Sequence, residues 1–232
     1  WLQGELGHDR KDIGTMIRVF NETFKNKSKK NQPALILKTG MAGFSRVDEH
    51  QLRRRILSLT GENGPEIKVI HGDLTQSELN ALYNHPKIKT MVSFTKGEGY
   101  GRPLLEFGVT GKPILASNWS GHVDFLSEHG TLLPGELKTV HPTCIVDKII
   151  VQGSKWFYID TSTASSYMKS VHKDYKVFLE NSRKQTSYIK KNFTLEHADD
   201  IYRKIIDKYV PEFPKSIQLK LPKLKQPKME KV

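Results

Sequence analysis

Residues 94–106 read FTKGEGYGRPLLE, and they follow an apolar run at 88–94 that predicts a β-strand. Pro103 stands where a helix would begin, a position at which proline loses no hydrogen bond and presets the backbone angle. Gly111 stands where that helix would end, and glycine is common just past helix C-termini. The stretch therefore predicts a strand, a glycine-rich loop and a helix over 103–110. In a parallel sheet such a loop lies at the carboxyl end of its strand, where α/β folds bind ligands.

Three glycines in this loop would let backbone N–H groups approach a ligand closely, and the start of the helix adds a partial positive charge. These features predict a cradle for a diphosphate. The glycine spacing is neither the dinucleotide G-x-G-x-x-G pattern nor a P-loop, since no Gly-Lys-Ser/Thr follows. Taken alone, the glycines are equally typical of a tight strand-to-helix turn.

Two glutamates strengthen the case for a ligand. Glu98 lies in the loop, and Glu106 lies one turn into the predicted helix among apolar residues. A carboxylate on a half-buried helix is costly unless it is hydrogen-bonded, and sugar hydroxyls are suitable partners. An ion pair between Glu106 and a nearby Arg or Lys is the alternative. Tyr100 is also expected to contact the ligand, because core packing does not explain an aromatic residue in this loop.

The rest of the chain alternates helical and strand-like apolar periods. The patterns predict helices at 10–25, 52–59, 75–83 and 122–126 and strands at 34–38, 67–70, 113–117 and 131–133. This alternation indicates an α/β fold with a doubly wound, mostly parallel, Rossmann-like sheet and a helical C-terminal segment. We expect a Rossmann-like domain at 1–160, a helical segment packed on it at 161–210, and an extended Lys- and Pro-rich tail at 211–232.

Composition narrows the class of protein further. The 232 residues carry a net charge of +12, which favours anionic partners. The tail supplies part of this charge through six Lys and two Glu at 212–232, so it is either a solvated tail or a contact to an anionic surface. The single Cys144 excludes an internal disulfide and suits a reducing compartment. Without a long apolar run or a leader, we expect a cytoplasmic protein with no transmembrane segment.

Metal-binding patterns are missing from the sequence. It has no His-Glu-x-x-His and no Asp-x-Asp, so we expect no metal ion and no other cofactor. His122 either faces the ligand or belongs to a helix start, the simpler interpretation. Trp119 either stacks on a sugar or shields the sheet. The run 156–158 is typical of a core strand.

The motif 98–106 resembles the E-G-F-G-x-P-x-x-E signature of retaining glycosyltransferases with the GT-B fold, the group 1 (family 4) class. The run 111–117 is similar to that family's G-x-P-V-x-A-S/T strand, and Gly121 matches the glycine before the next helix. Residues 72–79 resemble its G-x-x-x-x-x-E-L segment. Arg10-Lys11 resembles its basic pair near the first helix of the C-terminal domain. The resemblance covers about residues 1–135.

This resemblance implies metal-independent transfer of a sugar from a UDP- or GDP-sugar to an acceptor. It implies that Glu98 contacts the donor sugar and that Glu106 holds the ribose hydroxyls. Arg10 and Lys11 would neutralise the leaving diphosphate, where charge builds as the glycosidic bond breaks. The catalytic candidates are therefore Glu98, Arg10 and Lys11. The donor-binding candidates are Gly99, Tyr100, Gly101, Arg102, Leu104, Leu105, Glu106 and Gly72.

The sequence departs from the family pattern at three places. The run 107–110, FGVT, replaces the usual small residues, and no glycine-arginine pair precedes Lys11. The N-terminal domain that holds the acceptor in this family is not encoded in 1–232, which begin with Trp1. We therefore expect a donor-binding half that lacks its acceptor domain. The alternative is a non-catalytic module of the same fold that serves as a scaffold or a polyanion binder.

Overall fold

The computed structural model describes residues 8–40, 46–61 and 63–211, and side chains are described for all of these except 46–48. In chain order the elements are α1 (Ile13–Phe24), β1 (Leu35–Thr39), α2 (Arg46–Thr60), β2 (Ile67–His71), α3 (Gln76–Asn84), β3 (Met91–Ser93), α4 (Arg102–Gly108), β4 (Ile114–Ser117), α5 (Val123–Leu126), β5 (Thr131–Leu133), β6 (Gly135–Thr139), β7 (Lys155–Ile159), α6 (Thr161–Lys173), α7 (Tyr175–Asn192) and α8 (Leu195–Tyr209). These bounds confirm the predicted helices and strands up to residue 133. They also confirm a strand at 156–158 and a helical C-terminal segment.

The strands form three sheets rather than one. β1 pairs with β2, and β3, β4 and β5 pair in that order, all in parallel. β6 and β7 pair antiparallel, a ribbon that the sequence patterns did not predict. Gly135 permits this ribbon, since a Cβ there would lie 2.1 Å from the carbonyl oxygen of Tyr158. The predicted α/β architecture with parallel strands is present, but its single sheet is divided.

Two apolar clusters hold the sheets and helices together. The first joins α1, α6 and both parallel sheets, and its buried members include Ile17, Leu37, Phe94, Leu115 and Met168. The second joins α4, α5 and α7 over β4, and its buried members include Leu104, Phe107, Ile114, Phe125 and Ile189. The helical apolar period read from 13–24 thus points into the first cluster.

The departure from the family pattern at 107–110 has a structural role. Phe107 is almost fully buried in the second cluster. Gly108 lets α7 approach α4 closely, because a Cβ on Gly108 would lie 2.6 Å from Cδ1 of Ile189. The large Phe107 and the small Gly108 therefore both contribute to the close packing of α4 on α7.

The compact unit extends through Thr194, so α6 and α7 belong to it, and α8 begins a second unit at Leu195. The predicted boundaries at 160 and 210 stay predictions. The tail predicted at 211–232 lies outside the described residues except for its first position. Within the described ranges, no helix is long and apolar enough to cross a membrane.

Candidate functional site

The glycine-rich loop joins β3 to α4 as the sequence predicted. Gly101 precedes α4 with a φ of 86°, a left-handed conformation that favours glycine. A Cβ on Gly101 would also lie 2.9 Å from Cβ of His122, so space and backbone angle both require glycine here. Pro103 is the second residue of α4 rather than the first. The loop therefore ends in a fixed turn that places the start of α4 beside the start of α5.

A second segment clamps the loop from the side. The backbone N–H of Glu98 donates to Oγ of Ser120 over 2.9 Å, and the N–H of Gly121 donates to the carbonyl of Glu98 over 3.0 Å. The Ser120 hydroxyl also contacts that carbonyl. Ser120 holds a φ of 81°, an uncommon value for a residue with a side chain. Ser120 was not among the predicted site residues. Its only local indication of a role in the site is its position after β4 at the ligand edge.

The basic pair before α1 meets the loop at Glu98. Nη1 of Arg10 lies 3.3 Å from Oε2 of Glu98, and Nζ of Lys11 forms an ion pair with Oε1 of the same carboxylate. The Thr95 hydroxyl donates to Oε1 over 3.0 Å. Only 14% of the Glu98 side chain is exposed. The structure thus brings together the three residues predicted to be catalytic, although Lys11 and Glu98 lie 87 positions apart in the sequence.

The surroundings of Glu98 keep its carboxyl group ionised. Burial raises the pKa of Glu98, but the hydrogen bond and charge of Lys11 and the charge of Arg10 act in the opposite direction. The hydroxyl of Thr95 adds to this lowering. The net result is a pKa of Glu98 below its ordinary value, because the opposing contacts together outweigh burial.

Lys96 anchors the segment that carries the basic pair. Its backbone N–H donates to the carbonyl of Arg10 over 2.8 Å. Its side chain is fully buried, with Nζ 3.4 Å from Oδ1 of Asp12 and 4.5 Å from the ring centre of Tyr158. Burial raises the pKa of Asp12, and the charge of Lys96 partly offsets this. Lys96 was not among the predicted site residues, although its position between a core strand and a glycine-rich loop is an indication of such a role.

Glu106 has a partner within its own helix. Nε of Arg102 lies 2.9 Å from Oε1 of Glu106, and the two side chains are 73% and 32% exposed. The alternative of an ion pair is therefore present, and the contact of Glu106 with ribose stays a prediction. Burial raises the pKa of the neighbouring Tyr83 hydroxyl, and the Glu106 charge adds to this effect.

The other donor-binding candidates differ in what they can offer. The N–H groups of Leu104 and Leu105 already donate to the carbonyl of Gly101, and the Leu104 side chain is in the core. N–H groups that precede them, such as that of Gly99, are better placed to meet a ligand. Tyr100 is 44% exposed, and its ring centre lies 5.5 Å from that of Phe125. The ligand roles of these residues stay predictions.

Gly72 lies at the carboxyl end of β2 and belongs to the other parallel sheet. It has a φ of 108°, and its N–H donates to the carbonyl of Thr39 over 3.1 Å. These contacts tie it to β1 rather than to the loop at 94–101. Its role in donor binding stays a prediction.

His122 has a structural role at the start of α5, whereas Trp119 is 43% exposed, so both interpretations of Trp119 stand. His122 is fully buried, and its Nε2 lies 2.7 Å from the carbonyl oxygen of Ser117, so that nitrogen carries the proton. Burial lowers the pKa of His122 despite this hydrogen bond. The Trp119 ring stacks on Phe157 with centres 6.0 Å apart, which shields β7. Among the residues with described side chains, no group of three or more His, Cys, Asp or Glu could hold a metal ion.

Comparison with solved structures relates this geometry to known proteins. HepE from Anabaena, solved in complex with UDP-glucose, is similar with a TM-score of 0.58 and 14% identity, over 85% of this chain and 46% of HepE. A glycosyltransferase from Rickettsia africae is similar with a TM-score of 0.57 and 14% identity, over 88% of this chain and 47% of that protein. The chain has the fold of one half of a GT-B glycosyltransferase. TarM is also similar, with a TM-score of 0.56 and 15% identity, over 85% of this chain and 32% of TarM.

The likeness covers less than half of each of these glycosyltransferases. It confirms the Rossmann-like α/β fold predicted from the sequence. No family model matches the chain, and no curated protein sequence matches it.

Proposed function

We propose that this chain binds a nucleotide-diphosphate sugar through the loop at 97–106, with UDP or GDP as the nucleotide. We propose further that it is the donor-binding half of a retaining, metal-independent glycosyltransferase, whose acceptor is held by an N-terminal domain. Support comes from the motif at 98–106, from the GT-B fold, and from the UDP-glucose bound to the similar HepE. A cytoplasmic location and contact of the basic tail with an anionic surface remain part of the same proposal.

The meeting of Arg10 and Lys11 with Glu98 carries the proposal. Two cations face one ionised carboxylate, which leaves a net positive charge beside the glycine-rich loop. Backbone N–H groups at the loop and the start of α4 add to the attraction for an anion. A diphosphate is the anion that such a combination of fixed dipoles and two charged side chains suits.

The chemistry follows from where charge develops. As an acceptor hydroxyl gives up its proton and bonds to the anomeric carbon of the sugar, the bond between that carbon and the diphosphate breaks. Negative charge builds on the departing β-phosphate, and Arg10 and Lys11 stabilise it. When the donor binds, Glu98 exchanges its cation contacts for a hydroxyl of the donor sugar. Glu106 exchanges its contact with Arg102 for the ribose hydroxyls. Each carboxylate keeps a hydrogen-bonding partner throughout this exchange.

Isothermal titration of the folded chain with UDP and with GDP, in buffer containing EDTA, tests the proposal. We expect one nucleotide to bind, and we expect Lys11→Met to weaken its affinity by at least about tenfold through loss of a charge-assisted contact. Lys25→Met is the matched control, because Lys25 is exposed and pairs with Glu22 at the far end of α1. Failure of the folded wild-type chain to bind either nucleotide would sink the proposal.

A non-catalytic module is the second candidate, and one observation favours it. Glu98 and Glu106 both have cationic partners within the chain, so neither carboxylate needs a ligand to be satisfied. The same titration separates the two candidates. Under the first, Glu106→Ala weakens nucleotide binding. Under the second, Glu106→Ala changes nothing, and raised salt abolishes binding to a polyanion.

A further inference from the structure

A basic groove lies between the segment after α1 and the C-terminal half of α6. Its cationic lining consists of Lys27, Lys30, Lys169 and Lys173, with His172 beside them. The groove has a volume of about 540 Å³, and no acidic residue lines it. That volume falls within the range of roughly 300–1,000 Å³ that is typical of small-molecule sites.

The lysines of this groove differ from the nearby Lys25 and Lys29 in their interaction partners. Lys25 pairs with Glu22, and Lys29 donates to the carbonyls of residues 63 and 64. By contrast, in the part of the chain that the structure describes, none of the four lysines of the groove has a carboxylate within ion-pair distance. Four like charges around one cavity repel one another, so an anion placed among them is attracted by all four.

Two further contacts shape the groove for an anion. His172 packs edge-on against Phe24 with ring centres 5.4 Å apart. Nε2 of Gln32 donates to the carbonyls of Phe24 and Lys25 over 3.2 and 3.1 Å. The Gln32 contact occupies carbonyls at the C-terminal end of α1, which carries the negative end of the helix dipole. One ring of the lining is thus packed in place, and two of the carbonyls at the end of α1 already accept hydrogen bonds.

The groove is separate from the proposed donor site. Arg10 and Lys11 lie just before α1, whereas Lys27 lies just after its last residue, Phe24. A helix of 12 residues is about 18 Å long, so the two basic sites lie at opposite ends of α1. A ligand in the groove would not reach the loop at 97–106.

We infer that the basic groove binds a compact ligand that carries two or more phosphate groups. Four lysines exceed what one phosphate needs, and the cavity accepts a molecule of small-ligand size. Such a ligand is either a soluble polyphosphorylated molecule or the headgroup of a lipid with several phosphates. The inference does not depend on the proposed donor site.

Titration of the full chain with inorganic triphosphate tests the inference. The titration is run with and without UDP, so that it does not depend on occupancy of the proposed donor site. About 0.15 M salt screens charges that lie more than about 8 Å apart, so that close contacts dominate. We expect Lys27→Glu/Lys169→Glu to weaken triphosphate binding by at least about tenfold. Lys190→Glu/Lys191→Glu on α7 makes the same change of charge outside the groove and is expected to bind as the wild type does.

Co-sedimentation with phosphatidylcholine vesicles, with and without cardiolipin, identifies the source of the phosphates. Loss of cardiolipin-dependent binding in the Lys27→Glu/Lys169→Glu variant supports a lipid headgroup. Loss of triphosphate binding with no vesicle binding by the wild type supports a soluble ligand. The inference is overturned if this variant binds triphosphate as tightly as the wild type does, or if the α7 variant loses as much affinity. Unchanged UDP binding in both variants would show that a loss of triphosphate affinity does not arise at the proposed donor site.

Discussion

A methyl group on Gly121 would collide with the backbone of the glycine-rich loop. Built on the present backbone, the Cβ of Gly121→Ala would lie 2.1 Å from the carbonyl oxygen of Gly99 and 2.8 Å from its carbonyl carbon. The loop would have to retreat by about 1.3 Å to reach an ordinary van der Waals contact of 3.4 Å. This movement would also stretch the hydrogen bond from Gly121 to the carbonyl of Glu98, now 3.0 Å long.

The expected cost of Gly121→Ala is about 1–3 kcal/mol, the usual range for an overpacked backbone contact. Urea unfolding measures this loss. Titration with UDP should show affinity reduced by at least about tenfold, because the displaced loop moves its backbone N–H groups and Glu98 away from the positions in which they would meet the donor.

Gly99→Ala is the matched control for this effect. A Cβ at Gly99 meets no atom within 4 Å, so the free energy of unfolding should change by less than about 0.5 kcal/mol. The reasoning fails if Gly121→Ala unfolds at the wild-type urea concentration and binds UDP with wild-type affinity. It also fails if Gly99→Ala proves as destabilising as Gly121→Ala.

Two further predictions concern buried and capping charges. Lys96→Met leaves the buried carboxylate of Asp12 without its ion-pair partner, so urea unfolding should show a loss of about 3–5 kcal/mol, and adding Asp12→Asn should restore part of it. No recovery in the double variant would contradict this. Asp160 caps α6 by accepting hydrogen bonds from Thr163 and Ser162, which lower its pKa from 3.8 to about 2. Its stabilising effect is therefore present above pH 4 and lost as pH falls towards 2, and Asp160→Asn should remove this part of the pH dependence of urea unfolding; an identical acid slope in both proteins would refute it.

Local signals were sufficient to predict most of the elements. The helix predicted from residue 75 begins with a capping box between Thr75 and Glu78, whose two partners lie within one helical turn. Gly111 has a positive φ just past α4, as its position after the apolar run indicated. Such features depend on residues a few positions apart, and a sequence shows those directly.

The contacts that complete the site depend on distant parts of the chain. Ser120 clamps a residue 22 positions away, and Lys11 meets a carboxylate 87 positions away. The strand β7 brings Trp156 and Tyr158 over the buried Lys96. No periodic pattern in the sequence predicts these contacts, since each depends on how separate strands and helices pack. The division of the parallel strands into two sheets could not be predicted either, because the apolar pattern of one strand does not show which other strands it pairs with.

The two basic sites differ in how they can gain affinity. At the donor site, Arg10, Lys11 and Glu98 are already paired, so an arriving diphosphate replaces one anion with another. Part of its net gain must come from backbone N–H groups, from shape and from contacts of the sugar, since the two cations give up their contact with Glu98 when they meet the diphosphate. In the basic groove, four lysines line one cavity without a described carboxylate among them, so binding reduces their mutual repulsion as well as creating ion pairs. Affinity in the groove should therefore fall steeply with salt, whereas affinity at the donor site should depend more on the identity of the nucleotide and sugar.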